Sequence, residues 1–370
     1  MARTADAVVV GGGIMGLLSA RELRRAGLSV TLLERDRPGR QASWASAGII
    51  VDRMADPMDP VDVLADLGRT MFPALAAELG EEAGLDVDYV QNGAIVPAID
   101  EHVAAALERD TRALRAAGLA CEFVTGTALR DAEPALGPRV LGARLLAGGN
   151  VEVRRLVRAL EIADLRNGVE IVSGAPARRL IRSGGAVAGV ATDAEEYAAP
   201  LVVIAAGGWS AQIEGADPAI PVGPQKGQIL SLLPGPGGPR RVVLNPGDPY
   251  LVPRADGRLV VGATREMAGW DASPTAGGLA WLLTSAIELI PSLIDAPVHE
   301  QWIGFRPLSA DRIPLIGPAA LEGLHYITGH GPTGIAPAPA SVALLMALIQ
   351  DREPPVNPRP YDPLRFSGPR

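Results

Sequence analysis

An apolar run, Ala7-Val8-Val9-Val10, leads straight into Gly11-Gly12-Gly13-Ile14-Met15-Gly16. A helical pattern follows through Leu17, Leu18, Ala20 and Leu23 to Ala26, where Gly27 stops it. Val30 to Leu33 is a second buried strand ending at Glu34, so the segment is a complete β-α-β unit. Gly11, Gly13 and Gly16 stand in G-x-G-x-x-G spacing at the strand–helix junction. In that position the first glycine allows a tight turn and the second lets backbone N–H groups approach a pyrophosphate. The third lets the helix pack closely on the sheet. Glu34 lies 18 residues after Gly16, where a carboxylate can accept hydrogen bonds from ribose hydroxyls. The segment therefore predicts a dinucleotide site, with the helix N-terminus stabilising the phosphates.

The motif alone does not choose between NAD and FAD. The same glycine spacing recurs at Gly329, Gly331 and Gly334, but no strand with an acidic end follows, only a proline-rich tail from Pro354 onward. This reads as a helix N-terminus aimed at a bound ligand. One dinucleotide is expected, with its reactive ring meeting substrate directly.

Between these ends the pattern is helical over 60–79 and 102–117, with a strand alternation over 89–99. Residues 151–166 read as a helix and 169–172 as a strand. Residues 177–181 and 186–192 form a hairpin about Gly184-Gly185, and 201–206 is a buried strand. Strands at 228–233, 250–254 and 258–263, separated by Gly- and Pro-rich turns, predict an antiparallel meander. A helix over 278–290, strands over 301–306 and 325–328, and a closing helix over 335–350 complete the chain. The expected class is α/β. A discontinuous Rossmann-type dinucleotide-binding domain (1–79, 144–218 and 302–360) carries a second, α+β substrate domain built on an antiparallel sheet (80–143 and 219–301).

Here the sequence resembles a known family. The stretch Gly39-Arg40-Gln41-Ala42-Ser43-Trp44-Ala45-Ser46-Ala47-Gly48-Ile49 is similar to the second FAD contact of the D-amino acid oxidase superfamily, in its glycine oxidase (thiamine-biosynthesis) branch. The likeness continues in Ala205-Ala206-Gly207-Gly208-Trp209-Ser210, Lys226-Gly227-Gln228, Tyr250-Leu251-Val252-Pro253-Arg254 and Gly262-Ala263-Thr264. It returns in Trp302-Ile303-Gly304-Phe305-Arg306-Pro307 and in Gly329-His330-Gly331-Pro332-Thr333-Gly334-Ile335, whereas 55–145 matches poorly.

The resemblance implies FAD as cofactor. It assigns Ile14, Met15, Glu34 and Arg35 to the adenosine and pyrophosphate. Ala42, Ser43, Ala47, Gly48 and Ile49 fall to the segment beside the flavin, Ala177 to the adenine, and Gly207 to the strand-to-glycine turn. His330, Gly331, Pro332, Thr333, Gly334 and Ile335 are expected to face the isoalloxazine. Arg306 matches the carboxylate-binding arginine and Tyr250 its hydroxyl partner. Pro332 stands where glycine oxidases often place an arginine, and Arg265 falls where a neutral residue can line the pocket. Arg265 is thus a second candidate cation. Lys226, the chain's single lysine, is expected to be structural, with oxygen steering as the minor alternative.

The implied activity is oxidative deamination of a small amino acid or amine (glycine, D-amino acid or N-substituted glycine type). Hydride passes to the flavin, and oxygen or another acceptor takes the electrons. Three alternatives stand beside it: a quinone-linked dehydrogenase of proline-like amines or 2-hydroxy acids, a natural-product tailoring oxidase, and a non-catalytic sensor. A net charge of −8 argues against a nucleic-acid partner. Cys121 is the only cysteine and the four histidines lack metal-ligand spacing, so no metal is expected. The longest mostly apolar run, 335–349, is too short for a membrane span. No signal peptide fits residues 1–6, and the expected location is the cytoplasm. Homo-oligomerisation stays open.

Overall fold

The computed structural model describes residues 3–52, 59–216, 219–245, 247 and 249–367. Strand geometry sends successive side chains of Ala7–Val10 to opposite faces. Ala7 and Val9 join one hydrophobic core and Val8 and Val10 another. Both faces are covered, which is why the run is apolar throughout. It lies within a six-stranded sheet in the order Leu315–Pro318, Leu324–Thr328, Leu201–Ile204, Ala7–Val10, Val30–Glu34, Glu170–Ser173. Five strands run parallel and Leu315–Pro318 adds an antiparallel edge.

One face of this sheet is covered by the helices Ile14–Arg25, Pro60–Ala83, Val153–Arg166 and Ala338–Ile349. Leu17, Leu23, Leu64, Leu79, Leu156, Leu160, Leu344 and Leu345 are fully buried there, each burial stabilising by roughly 1.5–3 kcal/mol. The helix expected over 60–79 runs on to Ala83. Asp59 caps its start by accepting from the Val61 N–H, and Gly84 closes it with φ 63°. The closing helix starts at Ala338, not at 335, because the chain before it is spent on the Gly-Pro loop lining the site.

The expected meander is the centre of a larger sheet. Its order is Val298–Ser309, Val222–Leu232, Leu259–Gly262, Tyr250–Pro253, Val242–Val243, Ala94–Ala98, Gly142–Leu146, Cys121–Thr125. All neighbours are antiparallel except Val242–Val243 with Ala94–Ala98. The strands Cys121–Thr125 and Gly142–Leu146 were not foreseen, nor was the short helix Gly126–Ala132. The alternation over 89–99 forms a strand only from Ala94 to Ala98. Helix Ala276–Leu289 seals one face with Leu282, Ala286 and Leu289, and its Thr275 cap accepts from the Gly278 N–H.

The fold is thus the mixed α/β arrangement expected, a Rossmann-type layer beside a largely antiparallel one. The strands Gly142–Leu146 and Val298–Ser309 run across the limits expected at 143/144 and 301/302, and both belong to the eight-stranded sheet. The hairpin Arg179–Ser183 and Ala186–Ala191 joins Glu196–Ala198 and Arg3–Thr4 in a small separate sheet. Among the described residues no helix is long and apolar enough to cross a membrane.

Candidate active site

Strand Ala7–Val10 ends at Gly11, whose φ of 106° belongs to glycine and whose N–H donates to the Leu33 carbonyl at 2.8 Å. Glu34 closes the turn from the neighbouring strand. Its Oε2 accepts from the Gly12 N–H at 2.7 Å and its Oε1 from the Asp36 N–H at 2.9 Å. Burial raises the Glu34 carboxyl above its ordinary pKa, and those two N–H donors oppose the rise. A Cβ on Gly16 would collide with the Gly11 carbonyl oxygen, so this glycine serves helix packing. A Cβ on Gly13 would meet only Ser43 Oγ, at 3.2 Å. Ser43 Oγ accepts from the Ile14 N–H at 2.9 Å, tying the 39–46 segment to the start of the helix.

These residues form one end of a cavity of 550 Å³ between the two large sheets, within the size range of small-molecule sites. Gly11, Gly13, Ile14, Met15, Glu34, Arg35, Ala42, Ser43, Ala177 and Gly207 line it. So do His330, Gly331, Pro332, Gly334 and Ile335, and, from the other sheet, Tyr250, Arg265 and Arg306. Four expected contacts do not line it besides Gly16. Thr333 is outside its wall. Ala47, Gly48 and Ile49 are not among the lining residues, and the Ala47 carbonyl accepts from Arg254 Nη2 at 2.9 Å. A Cβ on Gly48 would collide with the Val151 carbonyl oxygen.

Some lining residues escaped the sequence reading although they sit inside the motifs it quoted. Arg40 and Gln41 flank Ala42, and Phe305 precedes Arg306. Trp209 follows the Gly207-Gly208 turn, with the Arg35 guanidinium over its ring at 4.1 Å. Arg178 carried no signal beyond adjacency to Ala177, and Gln212 none beyond lying two residues past the quoted Ser210.

At the other end, Arg306 rides on the long strand Val298–Ser309, opposite Gln225. Its Nη1 donates to the Thr264 carbonyl at 2.9 Å and, more weakly, to Lys226 at 3.4 Å. Two glycines make the room. A Cβ on Gly227 would come within 2.6 Å of the Arg306 guanidinium, and one on Gly262 within 2.6 Å of the Tyr250 hydroxyl. Burial lowers the Arg306 pKa, the Tyr250 phenol acts against this, and Arg265 lowers it further. Burial raises the Tyr250 pKa, which Arg306 most strongly opposes. No carboxylate pairs with Arg306 or Arg265 among the described residues.

Two residues have clear structural duties. Lys226 is 1% exposed and outside the cavity wall. Its Nζ donates to the Ser273 carbonyl at 2.7 Å and lies 3.4 Å from Glu266 and 3.5 Å from Asp271. His330 Nε2 is 3.0 Å from Ser341 Oγ on the closing helix. Burial pushes the His330 pKa down to about 3, so the ring is neutral near pH 7.

A dinucleotide cradle joined to a pocket bearing arginines and a tyrosine is the layout of an oxidoreductase that acts on small molecules. Residues 6–348 match the model of the FAD dependent oxidoreductase family, and the chain belongs to that family. It is 37% identical to a glycine oxidase of Pseudomonas aeruginosa, over 96% of this chain and 98% of that one. The solved glycine oxidase of Geobacillus kaustophilus superposes with a TM-score of 0.92 at 29% identity, covering 98% and 99% of the two chains. The solved iminodiacetate oxidase of a Chelativorans species gives 0.85 at 29%, covering 96% and 98%.

The enzyme is therefore an FAD-dependent amino acid or amine oxidoreductase. The residues present fit that cofactor. The side of Gly13 left open by Ser43 is where a pyrophosphate approaches a helix N-terminus. Glu34 retains lone pairs for a ribose, since each oxygen accepts one N–H bond.

Proposed function

We propose that this chain oxidatively deaminates a small amino acid or amine of the glycine, D-amino acid or N-substituted glycine type, with oxygen as the electron acceptor. Arg306 carries the reading. Its guanidinium lines the cavity beside Tyr250 and has no carboxylate partner among the described residues. Carbonyls occupy only Nη1, leaving donors of the fork for a substrate carboxylate. Relatives named for glycine and for iminodiacetate oxidation support this, since both molecules carry a carboxylate on the carbon beside nitrogen.

FAD supplies a two-electron acceptor for the hydride on that carbon. The chain's own part is to hold the carboxylate on Arg306 and Tyr250, which fixes the Cα–H bond and limits the amine to one orientation. His330 is held neutral near pH 7 by burial, with its Nε2 3.0 Å from Ser341 Oγ, so it adds no positive charge to the site. An amine reacting in its free form requires no side-chain base.

The test is anaerobic bleaching of the yellow holoenzyme with a panel of D- and L-amino acids, glycine, N-methylglycine and simple amines. On the best substrate Arg306→Ala should lose about 3 kcal/mol of transition-state stabilisation, roughly a hundredfold in kcat/KM. Arg306→Lys should recover only part, and both variants should keep their FAD. Full activity in Arg306→Ala refutes the carboxylate anchor. Peroxide release marks an oxidase, whereas quinone reduction without peroxide would make the enzyme a dehydrogenase.

A further inference from the structure

Two cations, Arg306 and Arg265, line the substrate end of the cavity, and neither makes an ion pair with a carboxylate among the described residues, although the Glu266 charge acts in favour of the Arg306 cation. Arg306 Nη1 donates to the carbonyl of Thr264, the residue immediately before Arg265, and both arginines line the cavity. The acid next in sequence does not reach this side. Glu266 pairs antiparallel with Lys226 through both main-chain bonds, each 3.0 Å. Its carboxylate accepts from Gln228 Nε2 at 2.7 Å and from Thr264 Oγ1, and lies 3.4 Å from Lys226 Nζ. Side chains alternate along such a bridge. Glu266 is therefore committed to one face, and Arg265 lines the cavity on the other.

Arg265 is exposed and has no carboxylate partner among the described residues. Its charge disfavours the Arg306 cation as well. An α-amino acid with a single carboxylate neutralises Arg306 and leaves the Arg265 charge in the same wall unmatched, which disfavours a nearby ammonium. A second carboxylate removes that conflict.

We propose that the preferred substrate is an amine bearing two carboxylates, one held by Arg306 and Tyr250 beside the carbon that is oxidised, the other by Arg265. This rests on the reading of Arg306 above and adds to it the substrate class.

The experiment measures dissociation constants on the FAD-loaded enzyme by calorimetry, using oxydiacetate and methoxyacetate. These are ethers with two carboxylates and one, and neither has an amine to oxidise. Oxydiacetate should bind about tenfold more tightly than methoxyacetate, as expected of an added charged hydrogen bond. The ratio should fall to about one in Arg265→Gln and reverse in Arg265→Glu, whereas Arg306→Ala should weaken both ligands. Equal binding of the two ligands by the parent, or a preference that survives Arg265→Gln, overturns the proposal and leaves the Arg306 anchor standing. If Arg306→Ala binds both ligands as tightly as the parent, the anchor itself falls and the proposal with it.

Discussion

Gly13 and Gly16 stand three residues apart, yet the consequences of enlarging them differ. A valine at Gly13 fills space open to the cavity and displaces Ser43 Oγ. Gly13→Val should therefore fold but fail to take up FAD, as titration of the apoprotein would show; unchanged affinity would reduce the motif to a turn. His330 offers a test by pH. Its folded pKa of about 3 lies below its ordinary 6.5, so between those values only the unfolded chain gains a proton. Stability is complete above about pH 6.5 and declines as pH falls towards 3. The group accounts for about 2 kcal/mol of loss from pH 7 to pH 5. His330→Gln should flatten that part of the acid limb in urea titrations at the two pH values, and an identical slope would rule the assignment out. Most of the expected site residues were placed on the cavity wall, because each sits in a short motif whose local geometry faces a ligand. Ala47, Gly48 and Ile49 were not. That segment is tied to Arg254, which reaches Ala47 from 207 positions away in the chain, and no local pattern records it.

Strand lengths show the same limit one level up. Expected strands 228–233 and 301–306 extend to Val222–Leu232 and Val298–Ser309, paired from Val222 with Ser309 to Leu232 with Val298. Pro224 and Pro307 read as breakers, but they face each other beyond the reach of Leu259–Gly262, which pairs only with 229–232. There the outer side of Val298–Ser309 meets only the isolated bridge of Leu308 with His330, in which Pro307 serves as acceptor, its carbonyl taking the Gly331 N–H at 2.7 Å, so its missing N–H breaks no ladder. Helix Val153–Arg166 was legible from its periodicity, and it hides one polar exception. Asp164 is fully buried, and neither oxygen has a hydrogen-bond partner among the described residues. Burial pushes its pKa up to about 8 from an ordinary 3.8, against the pull of Arg21. The folded chain thus holds a proton the unfolded chain releases, and stability is lost as pH rises through this window. Asp164→Asn should remove the loss, gaining on the parent by about 1.4 kcal/mol for each pH unit between pH 5 and pH 7. Melting temperatures that keep a constant difference across that range would refute it.

Across the molecule, the cavity draws its walls from Val10 to Ile335, so one ligand ties together layers far apart in sequence. FAD should therefore stabilise the chain as a whole. Free FAD at a hundred times its dissociation constant adds about 2.7 kcal/mol, and the melting temperature of apoprotein should rise with each addition; a flat response would deny that the cavity is the FAD site. The two-layer arrangement was legible because parallel and antiparallel strands differ in hydrophobic pattern and in their turns. The strands Cys121–Thr125 and Gly142–Leu146 were not, because their pattern is diluted by polar residues on the exposed side. The burial of Lys226 has a practical corollary. A protease that cuts after lysine has a single target bond in the whole chain, Lys226–Gly227, held in the middle of a paired strand. Folded protein should resist it. Each molecule that opens its central sheet should yield the same two pieces, 1–226 and 227–370, a one-cut clock for unfolding that needs no label.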